Sequence, residues 1–313
     1  MLYEIMLMII GFILLIKGAD FVVKGASNIA KKFHLSEMLI GIVIVGIGTS
    51  LPEIIVTVKS SLTGNPDIII GNSIGSCICN LLLVIGIASV CNPIKIDNTI
   101  LKVHLPVSVF SILMLASFCN FGSNHNVISK VEAVTLLIFA IIYIIYTVHE
   151  GKEQAQEKSN TTTTQITFIW ILIYLIIGII GLKFGVDFVV DGAVAIAEFF
   201  GVSESIISMT IVSLGTSLPE IVTCIIATIK KESDLAIGNV IGSNIFNICL
   251  LPGVGAIIQP IHYDLSFNRS LLFLLMITTY LLVFDLFRNR RIISRNHGVI
   301  FILLFCLYIS CLF

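Results

Sequence analysis

The chain matches itself. Sliding its 313 residues against themselves brings three motifs into one register at an offset of 167, without a gap. GxDFVVxGA stands at 18–26 and again at 185–193, GTSLPEI at 48–54 and 215–221, and IGNxIGSxIxN at 70–80 and 237–247. Three matches in a single register make the protein a duplication. Whatever one half folds into, the other half must fold into as well.

The solvent for that fold follows from charge. Only 18 basic and 19 acidic side chains occur, so 12% of the residues are charged, against about 25% in an ordinary soluble domain. Hydrophobic residues make up 57% and the mean hydropathy is +1.07. A water-exposed surface cannot be built from that composition, so an all-α integral membrane protein is expected. The net charge of −1 offers no basic face to nucleic acid. The eight cysteines lie mostly inside apolar runs, where a thiol packs as a small hydrophobe.

Stretches long enough to cross about 30 Å of hydrocarbon are expected near 5–30, 38–60, 68–90, 101–119 and 129–148, then 167–197, 205–229, 235–257, 270–287 and 298–312. The first has no basic segment before it and no small-residue cleavage site after it, so it reads as a span rather than a signal peptide. That gives two five-helix repeats, 1–148 and 167–313, joined by the hydrophilic segment 149–166, HEGKEQAQEKSNTTTTQI. A unit with an odd number of spans re-enters the membrane from the opposite face. Ten transmembrane helices arranged as two inverted five-helix repeats are therefore expected, an arrangement found in secondary transporters. Twelve of the eighteen Lys and Arg residues fall on the odd-numbered connections and three on the even ones. The positive-inside rule then puts both termini outside and the central loop in the cytoplasm.

Two of the repeated motifs carry chemistry. Pro52 and Pro219 have no N–H to donate, which leaves the carbonyls of Gly48 and Gly215 unbonded and breaks each helix in mid-span. Unwound backbone at that depth is tolerated where it is buried or lines a cavity. The break would present carbonyls, the hydroxyls of Thr49, Ser50, Thr216 and Ser217, and one turn on the carboxylates of Glu53 and Glu220. These are hard oxygen ligands suited to calcium or sodium. The competing reading is a capping box, in which Glu53 reaches back only to close the restarted helix at Ser50. Against it, a carboxylate at the bilayer centre is costly and marks an ion path, and here it occurs twice. In the other motif the glycines at 71, 75, 238 and 242 permit close helix packing, while Ser76 with Asn80, and Ser243 with Asn247, share a helical face. The repeat replaces Cys77 and Cys79 by Asn244 and Phe246, which argues against a thiolate metal site. Asp20 and Asp187 recur in spans one and six and are expected to pair locally. None of the six histidines repeats, and none is a proton-site candidate.

At these residues the chain resembles the calcium/cation antiporter superfamily, and within it the sodium/calcium exchanger branch of prokaryotic type. The resemblance runs the full length and rests on GTSLPE and GNxIGSxxxN. The related proton/calcium branch carries a glutamate where this chain has Gly75 and Gly242. The resemblance implies that Glu53 and Glu220 bind both calcium and sodium. It places Thr49, Ser50, Ser76 and the Gly46 carbonyl on one side, and Thr216, Ser217, Ser243 and the Ser213 carbonyl on the other. Asn80 and Asn247 would lie at the centre. Asn247 departs from the aspartate of potassium-dependent exchangers, which argues against potassium dependence.

The expected function is antiport of Ca2+ against Na+ by alternating access, electrogenic at about three Na+ per Ca2+ as the resemblance implies. No cofactor, enzymatic activity, nucleic acid or obligate protein partner is expected beyond the ions and the lipid bilayer. The rival readings are proton/calcium exchange through the same glutamates, a cation channel, and a membrane enzyme or structural bundle.

Overall fold

The computed structural model describes residues 2–122, 126–157, 166–201, 213–287 and 291–311. Twelve helices are seen among them. The first half holds α1 (Leu2–Phe33), α2 (Glu37–Thr49), α3 (Leu51–Leu62), α4 (Pro66–Cys91), α5 (Ile100–Phe121) and α6 (Lys130–Glu157). The second holds α7 (Phe168–Phe199), α8 (Ser213–Thr216), α9 (Leu218–Ile229), α10 (Ser233–Ile258), α11 (Phe267–Phe287) and α12 (Arg295–Ser310). Six helices are long and apolar enough to cross a membrane, or seven when α2 and α3 count as one span bent by 43°. Three shorter apolar helices, Leu214–Ile229, Phe267–Val283 and Arg295–Ser310, stand at further expected spans.

Most helix ends fall within a few residues of the hydropathy limits. The largest extension is α6, which runs to Glu157 because Glu, Lys, Gln and Ala after His149 are good helix formers although they are not apolar. The first part of the expected linker is therefore helical. Residues 158–165 and 202–212 lie outside the described residues, as do His125, Lys158, Arg288 and Arg290.

Four short strands join the helix ends. β1 (Ile94–Lys95) pairs antiparallel with β4 (Ile292–Ile293), and β2 (Val127–Ile128) with β3 (Ile261–His262). Each pair takes one strand from either half. Other end-to-end contacts cross between the halves in the same way. Lys32 donates to the Ile166 carbonyl, Asn92 to that of Thr228 and Ser61 to that of Gly255, while Asn120 and Asn268 exchange amide hydrogen bonds.

The two 32-residue helices α1 and α7 lie antiparallel along a glycine seam. A Cβ on Gly18 would sit 2.7 Å from the Leu182 nitrogen and 2.8 Å from the Gly178 oxygen; one on Gly178 would sit 2.8 Å from the Gly18 oxygen. Gly11 and Gly185 meet in the same reciprocal way. Small residues let backbones approach this closely. Away from the seam both helices turn large apolar side chains outward, among them Ile9, Ile13, Ile16, Ile169, Ile176 and Ile180, as a lipid-facing surface requires.

The polarity is reversed inside. α10 is almost wholly buried and carries Asn239, Ser243, Asn244 and Asn247 through the middle of the protein. It crosses α4 where Cys77 donates to the Asn244 carbonyl and the Asn244 amide donates back to the Cys77 carbonyl, at 3.4 and 3.3 Å. Residues 77 and 244 are the same position in the two copies.

Candidate ion-binding site

The two PEI segments break their helices in the same way. Ser50 has φ −83° and ψ 6°, and Ser217 has φ −87° and ψ 0°, so each chain leaves the α-helical basin for one residue. Helix then resumes with the proline in its first turn, where the missing N–H has no partner to lose. Glu53 and Glu220 directly follow the prolines in that first turn and are completely buried.

The capping-box reading fails on geometry. Neither Ser50 nor Ser217 makes a side-chain cap, and among the described residues both carboxylate oxygens of Glu53 lack a hydrogen-bond partner. Glu220 receives one bond, from the Ser50 hydroxyl at 3.3 Å, and its other oxygen has none. The two carboxylates lie close enough to interact electrostatically. Buried charge of this kind is unfavourable unless positive charge compensates it, and no Lys, Arg or His reaches it among the described residues.

Hydrogen bonds link several of the other oxygens across the two halves. Gly46 places its carbonyl where the Ser243 hydroxyl donates to it at 3.3 Å and the Ser50 N–H at 3.2 Å. Thr49 donates to the Asn239 side-chain oxygen at 3.1 Å. Asn80 spends its N–H on Asn244 at 3.1 Å, leaving its oxygen unpartnered, and both polar atoms of Asn247 are unpartnered. Among the described residues, the unpartnered buried oxygens of Glu53, Glu220, Asn80, Asn247 and the Ser217 hydroxyl number six. Ordinary cores leave very few such atoms.

Ser76 is buried and donates to Asn72 at 3.4 Å. Thr216 is buried beside Ser217, and Ser213 opens α8. Among the described residues no three His, Cys, Asp or Glu side chains gather as a metal site. Cys77 is engaged with the α10 backbone.

Several participants were not signalled by sequence. Asn72 and Asn239 repeat at one position, but the repeat alone gave them no role. Thr57 and Thr223 are fully buried with unpartnered hydroxyls and occupy different positions in the two copies. Asp20 pairs with Lys24 at 2.8 Å as expected, and also with Lys230 at 2.6 Å, 210 residues away. In the adjacent turn, burial raises the Glu232 carboxyl above its usual range, opposed by Ser27, Lys31 and Lys230. His104 lies near a span end, yet it is wholly buried, with its rings' nitrogens 3.0 Å from the Tyr143 hydroxyl and 3.4 Å from Glu150.

Two buried carboxylates on broken helices of a membrane protein mark a cation path. Comparison with known proteins gives the family. A model described as sodium/calcium exchanger protein matches residues 3–149 and 170–313. Inner membrane protein YrbG of Escherichia coli is 31% identical, the match covering 96% of this chain and 93% of that protein. Sodium/calcium exchanger MaX1 of Methanosarcina acetivorans is 29% identical, with 98% of each chain covered. Among solved structures, the sodium-calcium exchanger NCX_Mj soaked with zero Na+ and Ca2+ aligns at a TM-score of 0.86 and 33% identity, covering 99% of each chain. The chain belongs to the sodium/calcium exchanger family.

Proposed function

We propose that the protein exchanges Ca2+ for Na+ across the membrane, with Glu53 and Glu220 as shared ligands of both ions. The observation that carries this reading is the Glu53 carboxylate, fully buried with neither oxygen hydrogen-bonded among the described residues and Glu220 beside it. Thr49, Ser50, Ser76 and the Gly46 carbonyl complete the site from the first half. Thr216, Ser217, Ser243 and the Ser213 carbonyl complete it from the second, with Asn80 and Asn247 between. Two carboxylates neutralise one Ca2+, whereas three Na+ leave a charge of +1. Each cycle then moves one net charge, about 2.3 kcal/mol per 100 mV.

The architecture we infer is ten spans in two inverted repeats, 1–148 and 167–313, with 149–166 between them. Contacts between equivalent positions, such as 77 with 244, and the exchange of strands β1–β4 and β2–β3 support a two-fold relation, in which contacts are reciprocal. Every end-to-end contact described above joins ends assigned to one membrane side. α1 and α7, held backbone to backbone, slide together against the other helices in alternating access. At 1.5 Å per residue each is about 48 Å long, which calls for tilt in a hydrocarbon layer of about 30 Å.

Calcium-45 uptake into reconstituted vesicles tests the function. Sodium-loaded vesicles diluted into sodium-free medium should accumulate calcium uphill, whereas potassium-loaded vesicles should not. Uptake driven by a pH gradient and indifferent to sodium would make the counter-ion a proton; uptake only down the calcium gradient would make the protein a channel. The orientation has a separate test in the exposed thiols Cys91 and Cys311. In single-cysteine variants, a membrane-impermeant maleimide should label Cys91 from the cytoplasmic side and Cys311 from outside. Labelling of both from one side would overturn the ten-span alternation.

A further inference from the structure

A hydroxyl has one proton and two lone pairs. When it serves as a cation ligand, its oxygen must face the ion and its proton must go to some other acceptor. The acceptor therefore decides whether the hydroxyl is available, and at Thr49 three acceptors compete. Asn239 Oδ1 lies 3.1 Å from the Thr49 hydroxyl oxygen and the Gly46 carbonyl 3.4 Å. The Glu220 carboxylate also lies beside it. If the proton went to Gly46 or Glu220, it would occupy a lone pair of another ligand in the proposed site. Only donation to Asn239 adds no further hydrogen bond to the Gly46 carbonyl, which already accepts from Ser243 and the Ser50 N–H, or to Glu220, which already accepts from the Ser50 hydroxyl.

Asn239 is fully buried on α10, and its Nδ2 has no hydrogen-bond partner. The amide is thus engaged through its carbonyl oxygen, on a residue of the opposite half of the chain. Asn72, at the same position in the first copy, repeats the pattern. Its Oδ1 accepts the Ser76 hydroxyl at 3.4 Å and its Nδ2 has no partner.

We propose that Asn239 is a positioning residue that takes the Thr49 proton, turning the Thr49 oxygen toward the transported cation and sparing Gly46 and Glu220 a further hydrogen bond; Asn72 serves Ser76 in the same way. This rests on the ion site proposed above. It carries a selectivity consequence. A monovalent ion gains half the attraction of a divalent one from the two carboxylates, so neutral oxygens hold a larger share of its binding. Disorienting Thr49 should therefore weaken Na+ more than Ca2+.

The test uses Asn239→Leu and Asn239→Ala, each alone and combined with Thr49→Val, in the reconstituted full chain; alanine is smaller than the native side chain and serves if leucine does not fit. Loss of one oriented ligand should raise the half-saturating Na+ concentration about tenfold. The half-saturating Ca2+ concentration should move less and the maximal rate should stay near that of the unmodified protein. Thr49→Val should give the same sodium shift, and the double variants should be no worse than Thr49→Val alone, because Asn239 acts through that hydroxyl. Additive losses would assign Asn239 to packing and overturn the proposal, as would an unchanged sodium dependence. Failure of the site itself looks different, since Glu53→Gln would then exchange normally.

Discussion

Replacing Glu53 or Glu220 by glutamine is expected to reduce sodium-driven calcium uptake to background while leaving the protein folded. Glutamine keeps the shape and one side-chain oxygen but removes the charge. At an effective dielectric constant of about 20, a unit charge 4 Å away contributes on the order of 4 kcal/mol, and Ca2+ draws on it twice over. A loss of even that size is about a thousandfold in affinity. Stability should move the other way or stay constant, because a buried carboxylate without a partner is a burden to the fold. Both oxygens of Glu53 are in that position. A thermal melt with and without calcium separates the two effects. Calcium that binds the folded state should raise the melting temperature of the unmodified protein and leave that of Glu53→Gln unchanged. Normal exchange by either variant would mean that these carboxylates serve the helix break and not the ion.

The same pair shows what the sequence could reveal. Pro52 and Pro219 announce the two breaks through covalent chemistry, which needs no knowledge of the fold, and the structure places them at Ser50 and Ser217 with nearly equal backbone angles. The apolar runs likewise mark the helices because crossing a bilayer sets a length and a polarity that any window of sequence displays. α6 runs past its apolar limit because helix propensity and hydrophobicity are separate properties, and hydropathy displays only the second.

What stayed hidden depends on residues far apart in the chain. The strands are two residues long, too short for any alternation to show. Lys230 on Asp20, Asn239 on Thr49 and Tyr143 on His104 are pairings that no local period encodes. Of the site, the sequence displayed the charged and hydroxyl groups of both motifs. It did not display that Asn80 turns its amide toward Asn244 while Asn247 has both polar atoms unpartnered, because that difference arises where α4 crosses α10.

The crossing that builds the site can be tested at one glycine. Adding a methyl group by Gly242→Ala is expected to destabilise the protein by about 2–3 kcal/mol, the upper part of the usual range for overpacking, and to impair exchange with it. The new Cβ would lie 2.6 Å from the Ile42 oxygen, 2.7 Å from its Cα and 3.0 Å from its carbonyl carbon. These are backbone atoms, so no rotamer change relieves the contact and α2 must move away from α10. Ile42 precedes Gly46 and Thr49 on that helix, so the shift would pull both from Ser243 and Asn239, now 3.3 and 3.1 Å away. Gly238→Ala meets the Met38 oxygen at 2.6 Å and should behave alike. Gly71, the same position as Gly238 in the first copy, is the control. Among the described residues a Cβ there would meet the Phe267 ring, at 3.5 Å, and alanine should be neutral or slightly stabilising through its helix propensity. Melting temperatures and calcium uptake of the three variants give the comparison. If Gly242→Ala melts and transports as the unmodified protein does, α2 and α10 do not meet backbone to backbone, and the oxygens of the two halves cannot share one ion by this crossing. If it fails while Gly71→Ala does not, the second copy of the motif is the one that seats α2 against α10 and tolerates no added methyl group.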